Sequence, residues 1–417
     1  MKTTGHSRPA GSEATAASYP RPEYTRHHAY FARHAPPTPC LLMDLDVVAE
    51  KYRALSAALP GARVYFAVKA CAEPDLLRLL ADLGCGFDVA SPGEMDLCLK
   101  AGAQPEDLSY GHTVKKPTDI VYARQRGVRL FALDSPEELA KLATFAPGCD
   151  VSCRITVDTD GAQWPISRKF GCSADEAIEL MIQASSMGLH PRAITFHVGS
   201  QQLIPARWAE AIGRASTVIQ ALAAESIEIS VLNLGGGLPA NYGPDVPEVE
   251  RYCEVILAAL REHGLAGGSG TPNNVMPRPP MLIVEPGRYL PADAGMIRSE
   301  VVLVTHRSEP VDRRWVYVDI GRFGGLAETE GEAIVFPLVT TRNGRSFGTA
   351  SGPAVVAGPT CDSADTLYEH NQRTLPLDLA IGDYVDFLGT GAYTIPYCSV
   401  GFNGFPPLVA HCFSGPI

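Results

Sequence analysis

From about residue 45 the chain alternates two patterns of apolar and polar positions. Short runs rich in β-branched and aromatic residues give way to longer stretches whose apolar residues recur every three or four positions. Eight runs of the first kind follow in order: RVYFAVKA from Arg63, GFDVAS from Gly86, LSYGH from Leu108, RLFALDS from Arg129, DVSCRITV from Asp150, AITFHVGS from Ala193, VLNLGGGL from Val231 and MLIVEPG from Met281. Their length and composition predict strands. Stretches such as DEAIELMIQASSMG and RWAEAIGRASTVIQALAAE carry the period of a helix packed by one face on a sheet. Strands alternating with helices imply parallel pairing, and eight units over about 240 residues predict an α/β fold, a TIM-like (β/α)8 barrel. A doubly wound open sheet fits the same local pattern.

The texture changes after about residue 295. SEVVLVTHRS, RRWVYVDIG, PAVVAGPT and GDYVDFLGTGAYT succeed one another across Gly, Pro and Asn turns with little helical period, which predicts an antiparallel β domain. The run TPCLLMDLDVV, ahead of the barrel, could add a strand to that domain and join the two chain ends. The expected organisation is a mostly disordered tail over residues 1–35, a barrel over 46–292, and a β-sandwich or β-barrel-like domain from 36–45 plus 293–417. Within the tail only the part near Tyr30 and Phe31 is expected to dock. Residues 264–280, rich in Gly, Pro and Asn, read as a surface loop.

Composition narrows the functional classes. Hydrophobic residues at 46% and charged residues at 19% are ordinary for a globular chain with a large core. A formal net charge of −11 gives no ground for nucleic acid or an anionic membrane as partner. The 11 cysteines show no CxxC pairs or zinc-spaced Cys/His clusters, and read as reduced core thiols with no metal site. No run of about 18 apolar residues predicts a membrane span. The N-terminal stretch lacks the apolar segment of a secretory signal, so the cytoplasm is the expected compartment.

The placement of polar residues carries more. Lys69, Asp88, Ser91, His112, Asp134, Arg154, His197, Ser200, Gly235 to Gly237 and Glu285 all stand at the downstream end of a β-rich run. In a barrel those ends share one mouth, the catalytic face. Apolar neighbours would desolvate Lys69, lowering its proton affinity as a Schiff-base lysine requires; a strand-end lysine is also a common surface charge. The three glycines of LNLGGGLP would let backbone N–H groups approach a phosphate, although a tight βα turn uses the same residues. Glu285 could hold a proton on the ring nitrogen of an electron-sink cofactor, or simply pair with nearby Arg288. His197 could lie flat over such a ring or be a core histidine, and Ser200 could donate to phosphate. In AGPTCDSAD the Cys361 thiol could act as an acid and the Asp362 carboxylate could bind a cation.

Taken in order, YFAVKA, FDVAS, SRKFGC, FHVGSQ, LGGGLPANY, VEPGR, GPTCDSAD, TGAYT and FNGFPPL resemble the motifs of the ornithine, lysine and diaminopimelate decarboxylases. These depend on pyridoxal 5'-phosphate (PLP) and share the barrel of alanine racemase, PLP fold type III. The resemblance runs from about Thr38 to Pro407 and is closest to bacterial ornithine and lysine/ornithine decarboxylases. It implies that Lys69 carries PLP, that His197 stacks on the pyridine ring, and that Glu285 pairs with the ring nitrogen. It implies further that Ser200, Gly235, Gly236, Gly237, Arg288 and Tyr393 surround the phosphate, with Asp88, Glu94 and Arg154 as polar support. In such enzymes the site forms at a head-to-tail homodimer interface. The CDSAD and GAYT segments of a second copy would reach in: Cys361 would return a proton to Cα, while Asp362 and Tyr393 would meet the substrate, Asp362 through its distal amine.

The implied reaction is decarboxylation of a basic L-amino acid, ornithine first, to putrescine and CO2. Lysine or another diamino acid is the alternative substrate. The CDSAD form of the cysteine motif resembles enzymes for diamine-yielding substrates, whereas diaminopimelate decarboxylases resemble CESGD. An amino-acid racemase on the same fold and a non-catalytic decarboxylase-like binding protein are the rival readings. One segment departs from its bacterial relatives: they resemble LIETMDESIKFP, and this chain reads LAETEGEAIVFP from Leu326 to Pro337. The family aspartate falls at about Gly331, so Glu330 and Glu332 are the expected substrate-binding acids of this segment.

Overall fold

A computed structural model describes residues 24–164, 169–243, 245–266, 278–308, 311–342 and 347–417. Helix α1 (Thr25–His34), strand β1 (Cys40–Asp44) and helix α2 (Leu45–Ala58) precede the barrel strands β2 (Ala62–Ala67), β3 (Gly86–Val89), β4 (Leu108–Tyr110), β5 (Leu130–Leu133) and β6 (Asp150–Arg154). A short strand β7 (Ala162–Trp164) intervenes before barrel strand β8 (His190–Thr195) and pairs antiparallel with β9 (Ser200–Gln202). Strands β10 (Val231–Asn233) and β11 (Met281–Val284) complete the ring, with β11 closing on β2 in parallel register. All eight runs read as strands in the sequence enter this closed barrel, which excludes the open sheet.

The outer helices start where their sequences say they should. Helices α3 (Pro74–Asp82), α4 (Pro92–Lys100), α5 (Pro117–Gln125) and α6 (Pro136–Phe145) each open on a proline, whose missing N–H would be unpaired there anyway. Ser91, Ser135 and Ser173 cap α4, α6 and α7 (Ala174–Ser186) by accepting from the N–H three residues on. Helices α8 (Ala206–Ala224) and α9 (Val249–Glu262) follow, and α2 lies between α9 and α3, completing the ring. Phe66, Phe87, Phe131, Phe196, Trp208 and Tyr252 are wholly buried in the continuous core between barrel and helices. No helix among the described residues is long and apolar enough to cross a membrane.

The second domain contains β12 (Gly295–Arg307), β13 (Arg313–Val318), β14 (Leu338–Thr341), β15 (Ser351–Ala357), β16 (Thr366–Pro376), β17 (Tyr384–Leu388) and β18 (Val409–Phe413). Their order is β14-β17-β12-β13-β15-β16, with β1 between β12 and β18. The expectation of an antiparallel sheet needs correction, because β13–β15 and β1–β18 pair in parallel. No hairpin dictates direction in either case: a long excursion separates β13 from β15, and β1 and β18 come from opposite ends of the chain. All five residues of β1 are buried, as a central strand requires.

Residues 1–23 lie outside the described residues, as do 267–277 of the expected surface loop and Ser167 and Arg168 of SRKFGC. Helix α1 packs on the β-domain sheet. Tyr30 stacks on Phe413 at 4.9 Å, Phe31 meets Tyr384 edge-on at 5.4 Å, and the buried His27 Nε2 bonds the Ala294 carbonyl at 2.8 Å.

Candidate active site

The downstream ends of the barrel strands bring the polar residues into one cleft. Lys69 sits in a single 3-10 turn, Val68–Ala70, directly after β2. Its side chain is exposed only into the cleft, which Asp88, His197, Ser200, Gly236, Gly237, Glu285, Arg288 and Tyr393 line with it. Burial opposes the Lys69 ammonium, but Tyr393, Asp88 and Glu285 outweigh it, and the amine lies above its ordinary value. Tyr393 attracts only as phenolate, and burial pushes its own phenol up. Asp88 and Glu285 act together with Tyr393 against burial and the Arg154 guanidinium. This reverses the lowered proton affinity expected from VYFAVKA, because the acids arrive on strands β3 and β11, which flank β2.

Burial pushes Glu285 up to about 8, with Asp88 adding to the effect and the Asn233 amide opposing it. Asn233 Nδ2 donates to Glu285 Oε1 at 2.5 Å while its Oδ1 accepts from the Gly235 N–H at 2.9 Å. His197 Nδ1 accepts from the Gly199 N–H at 2.9 Å. Burial, then Arg154 and Lys69, push that imidazole well below its usual value. His197 is thus neutral, with its proton on Nε2. Arg154, the last residue of β6, stands over the Phe170 ring at 5.3 Å. Glu94 accepts from the Ala90 N–H at 2.6 Å and closes the capping turn of α4 behind Asp88.

The glycine run leaves no room for side chains. A Cβ on Gly235, which has φ +63°, would stand 1.9 Å from the Phe196 carbonyl oxygen; on Gly236 it would stand 2.5 Å from that of Glu285. Opposite, Ser200 Oγ accepts from Arg288 Nη2 at 3.3 Å, and the Arg288 guanidinium lies over the Tyr393 ring at 4.8 Å. Two buried polar atoms of this cleft have no partner: the Arg288 Nε donor and the Asp88 Oδ1 acceptor. A donor left open beside a glycine cradle suits a phosphate. The acids at the other end suit a basic ring nitrogen and a lysine-bound aldehyde. PLP fits this donor set. Below it an internal cavity of about 180 Å³, reaching Ser109, His112, Ser152 and Thr195, extends the cleft into the barrel.

Tyr393 of the GAYT segment, expected from a second copy, instead lines the cleft of its own chain, where its N–H donates to the Ala70 carbonyl at 2.7 Å. Cys361, Asp362, Glu330 and Glu332 do not join the cleft within one chain. Cys361 and Asp362 are exposed on the loop between β15 and β16, and neither lines the cavity around Lys69. The buried Asp365, not singled out by sequence, holds that loop by accepting from Thr360 N, Thr360 Oγ1 and Arg322 N. Glu332 is engaged elsewhere, its carboxylate accepting the N–H groups of Glu369, His370 and Asn371 at 2.7 to 2.8 Å. Glu330, on the same 3-10 segment Ala327–Glu332, is exposed. The local alternative of a Glu285–Arg288 pair is also corrected: Arg288 pairs with Glu328 at 2.6 Å. Sequence reading missed Glu328, Asn233 and Tyr242. Asn233 two residues before the glycines and Tyr242 in LGGGLPANY were visible signals; the pairing of Glu328 across forty residues was not.

A lysine-bearing barrel mouth with a glycine cradle and a strand-end acid defines a PLP site of fold type III. Residues 45–292 match the family model described as "Pyridoxal-dependent decarboxylase, pyridoxal binding domain", and the chain belongs to the pyridoxal-dependent decarboxylases. It is 34% identical over 373 residues to a lysine/ornithine decarboxylase of Selenomonas ruminantium, covering 88% of each chain. A crystal structure of the S. ruminantium lysine decarboxylase with PLP and cadaverine superposes with TM-score 0.80 at 31% identity, covering 93% of each chain. The lysine/ornithine decarboxylase of Vibrio vulnificus complexed with putrescine gives TM-score 0.80 at 28% identity, over 93% of this chain and 97% of that one.

Proposed function

We propose that this PLP enzyme decarboxylates a basic L-amino acid, L-ornithine first, at sites completed by a second copy of the chain. The observation that carries the reading is the convergence of Lys69, Glu285, His197, Arg288 and the glycine run on one cleft, while Cys361 and Asp362 stay exposed outside it. When bound, the cofactor supplies an electron sink for the pair left behind as CO2 departs. Lys69 anchors it through the ε-amine. Glu285, oriented by Asn233, holds a proton at the ring nitrogen, and neutral His197 packs on the ring without competing for that proton. The glycine N–H groups, Ser200, Tyr393 and Arg288 take the phosphate, while Asp88, Glu94 and Arg154 fix the polar surroundings of Lys69.

Cys361 from the second copy would supply the proton that the substrate Cα needs once CO2 has left. Asp362 of that copy takes the distal ammonium, with Glu330 as the remaining uncommitted acid of its segment. A neutral or acidic side chain would leave these carboxylates unpaired, which selects a basic substrate. An apolar groove beside the Cys361 loop, with Pro37, Phe323, Phe402, Phe405 and Leu408 among its walls, supports a homodimer interface on that face. L-Lysine is the second reading, since Gly331 stands where the resembling bacterial segment carries an aspartate and offers the distal amine no acid. Amine and CO2 release from ornithine, lysine, arginine and diaminopimelate tests the proposal. Putrescine is the expected main product; a PLP-loaded enzyme that releases CO2 from none of the four overturns it.

A further inference from the structure

Arg288 brings a positive charge to the phosphate end of the cleft and is 2% exposed, yet most of its guanidinium is already engaged. Nη1 and Nη2 donate to Glu328 Oε2 and Oε1 at 2.7 and 2.6 Å, a fork-on-fork pair. Nη1 also reaches the Tyr242 hydroxyl at 3.1 Å and Nη2 the Ser200 hydroxyl at 3.3 Å. Only Nε has no partner. Tyr242 is held in turn, its hydroxyl donating to the Gly389 carbonyl at 3.1 Å. Glu328 is 3% exposed and belongs to the 3-10 segment of the β domain, so the pair bridges the two domains at the cofactor seat.

We propose that Glu328 is a positioning residue that makes the phosphate seat electrically neutral. It cancels the buried Arg288 charge before any phosphate arrives and turns the two Nη groups away, leaving Nε as the guanidinium's one free donor. The phosphate is then held by backbone N–H groups, hydroxyls and a single guanidinium N–H instead of by an uncompensated cation. Two consequences follow from this. The cofactor-free protein is spared a buried unpaired charge. The grip on the phosphate is weaker than Arg288 alone would provide, because a carboxylate stands near a second anion in an enclosed site. Charge outweighs orientation in that balance, since Tyr242 and Ser200 still hold the guanidinium when Glu328 loses its charge.

The inference rests on PLP as cofactor and is independent of which amino acid is decarboxylated, so a failed amine assay leaves it standing. Full-length Glu328→Gln, stripped of cofactor, is titrated with PLP and with pyridoxal, which lacks the phosphate. The ratio of PLP to pyridoxal affinity rises about tenfold or more over wild type, while the cofactor-free variant melts lower and gains more from PLP. Glu328→Asp, which keeps the charge, leaves the ratio near wild type. A purely structural role would weaken both ligands alike, and a Glu328→Gln ratio equal to or below wild type overturns the proposal. Should Glu328→Gln not survive cofactor removal, the rate of PLP loss from holoenzyme decides: slower loss supports it, unchanged or faster loss overturns it.

Discussion

Glu285 has the most direct electrostatic consequence of any single residue. Burial raises its carboxyl from the ordinary 4.5 of the unfolded chain to about 8 in the cofactor-free folded one. Between those values the folded state binds the extra proton, so stability present below pH 4.5 is lost as pH rises through about 8. Urea midpoints of the cofactor-free protein across that range are expected to fall, and Glu285→Gln is expected to flatten the fall. At Lys69, substitution by alanine abolishes turnover, and borohydride reduction of the holoenzyme followed by peptide mapping finds the cofactor adduct on this lysine in the unsubstituted chain. Cys361→Ala slows turnover on the order of a hundredfold and raises aldehyde by-product, measured by product analysis; an unchanged product spectrum removes Cys361 from its role. Lys69 and Glu285 stood out in their strand-end motifs, Cys361 only in the loop motif AGPTCDSAD. Their protonation was not legible there: the state of Lys69 depends on Asp88 and Glu285, which lie far from it in the chain and beside it in the barrel.

At the scale of elements, helix α1 and the glycine turn make contrasting demands. The His27 ring is buried under α1 beside Phe413, and burial, despite a bond to the Ala294 carbonyl, lowers its pKa from 6.5 to about 4. The contribution of α1 docking is present above pH 6.5 and is lost as pH falls through about 4, a loss on the order of 3 kcal/mol. Hydrogen-exchange protection factors of residues 25–34, corrected for the slower intrinsic exchange in acid, are therefore expected to fall from pH 7 toward pH 4. His27→Gln keeps a donor without titrating and should remove that pH dependence. In the glycine turn, Gly235→Ala places a methyl 1.9 Å from the Phe196 carbonyl, so the variant is expected to purify colourless or unfolded, as absorbance and circular dichroism would show. LGGGL marks this turn plainly in sequence. Helix α1 is harder to read, because its stability comes from Phe413 and Tyr384, residues at the far end of the chain.

The whole molecule raises the matter of a site divided between copies. If Cys361 serves the cleft of another chain, mixing inactive Lys69→Ala with weakly active Cys361→Ala produces heterodimers with one intact site, and activity recovers to about a quarter of wild type. Mixtures no more active than their parents would count against shared sites. The alternation of strands and helices by itself determined a parallel α/β sheet of eight strands, because periodicity reports which faces are buried and parallel pairing needs crossovers; that this sheet closes into a barrel was decided by tertiary structure. The same alternation also determined which residues reach the mouth, since strand ends are local features. Other matters were decided only by tertiary structure. The parallel pairing of β13 with β15 and of β1 with β18, the diversion of Glu332 to three backbone N–H groups, and the Arg288–Glu328 pair all join segments with no local period linking them. Local patterning is set by each residue's nearest neighbours along the chain, whereas charge pairing and strand direction are set by which distant segments the closed core brings within a few ångströms.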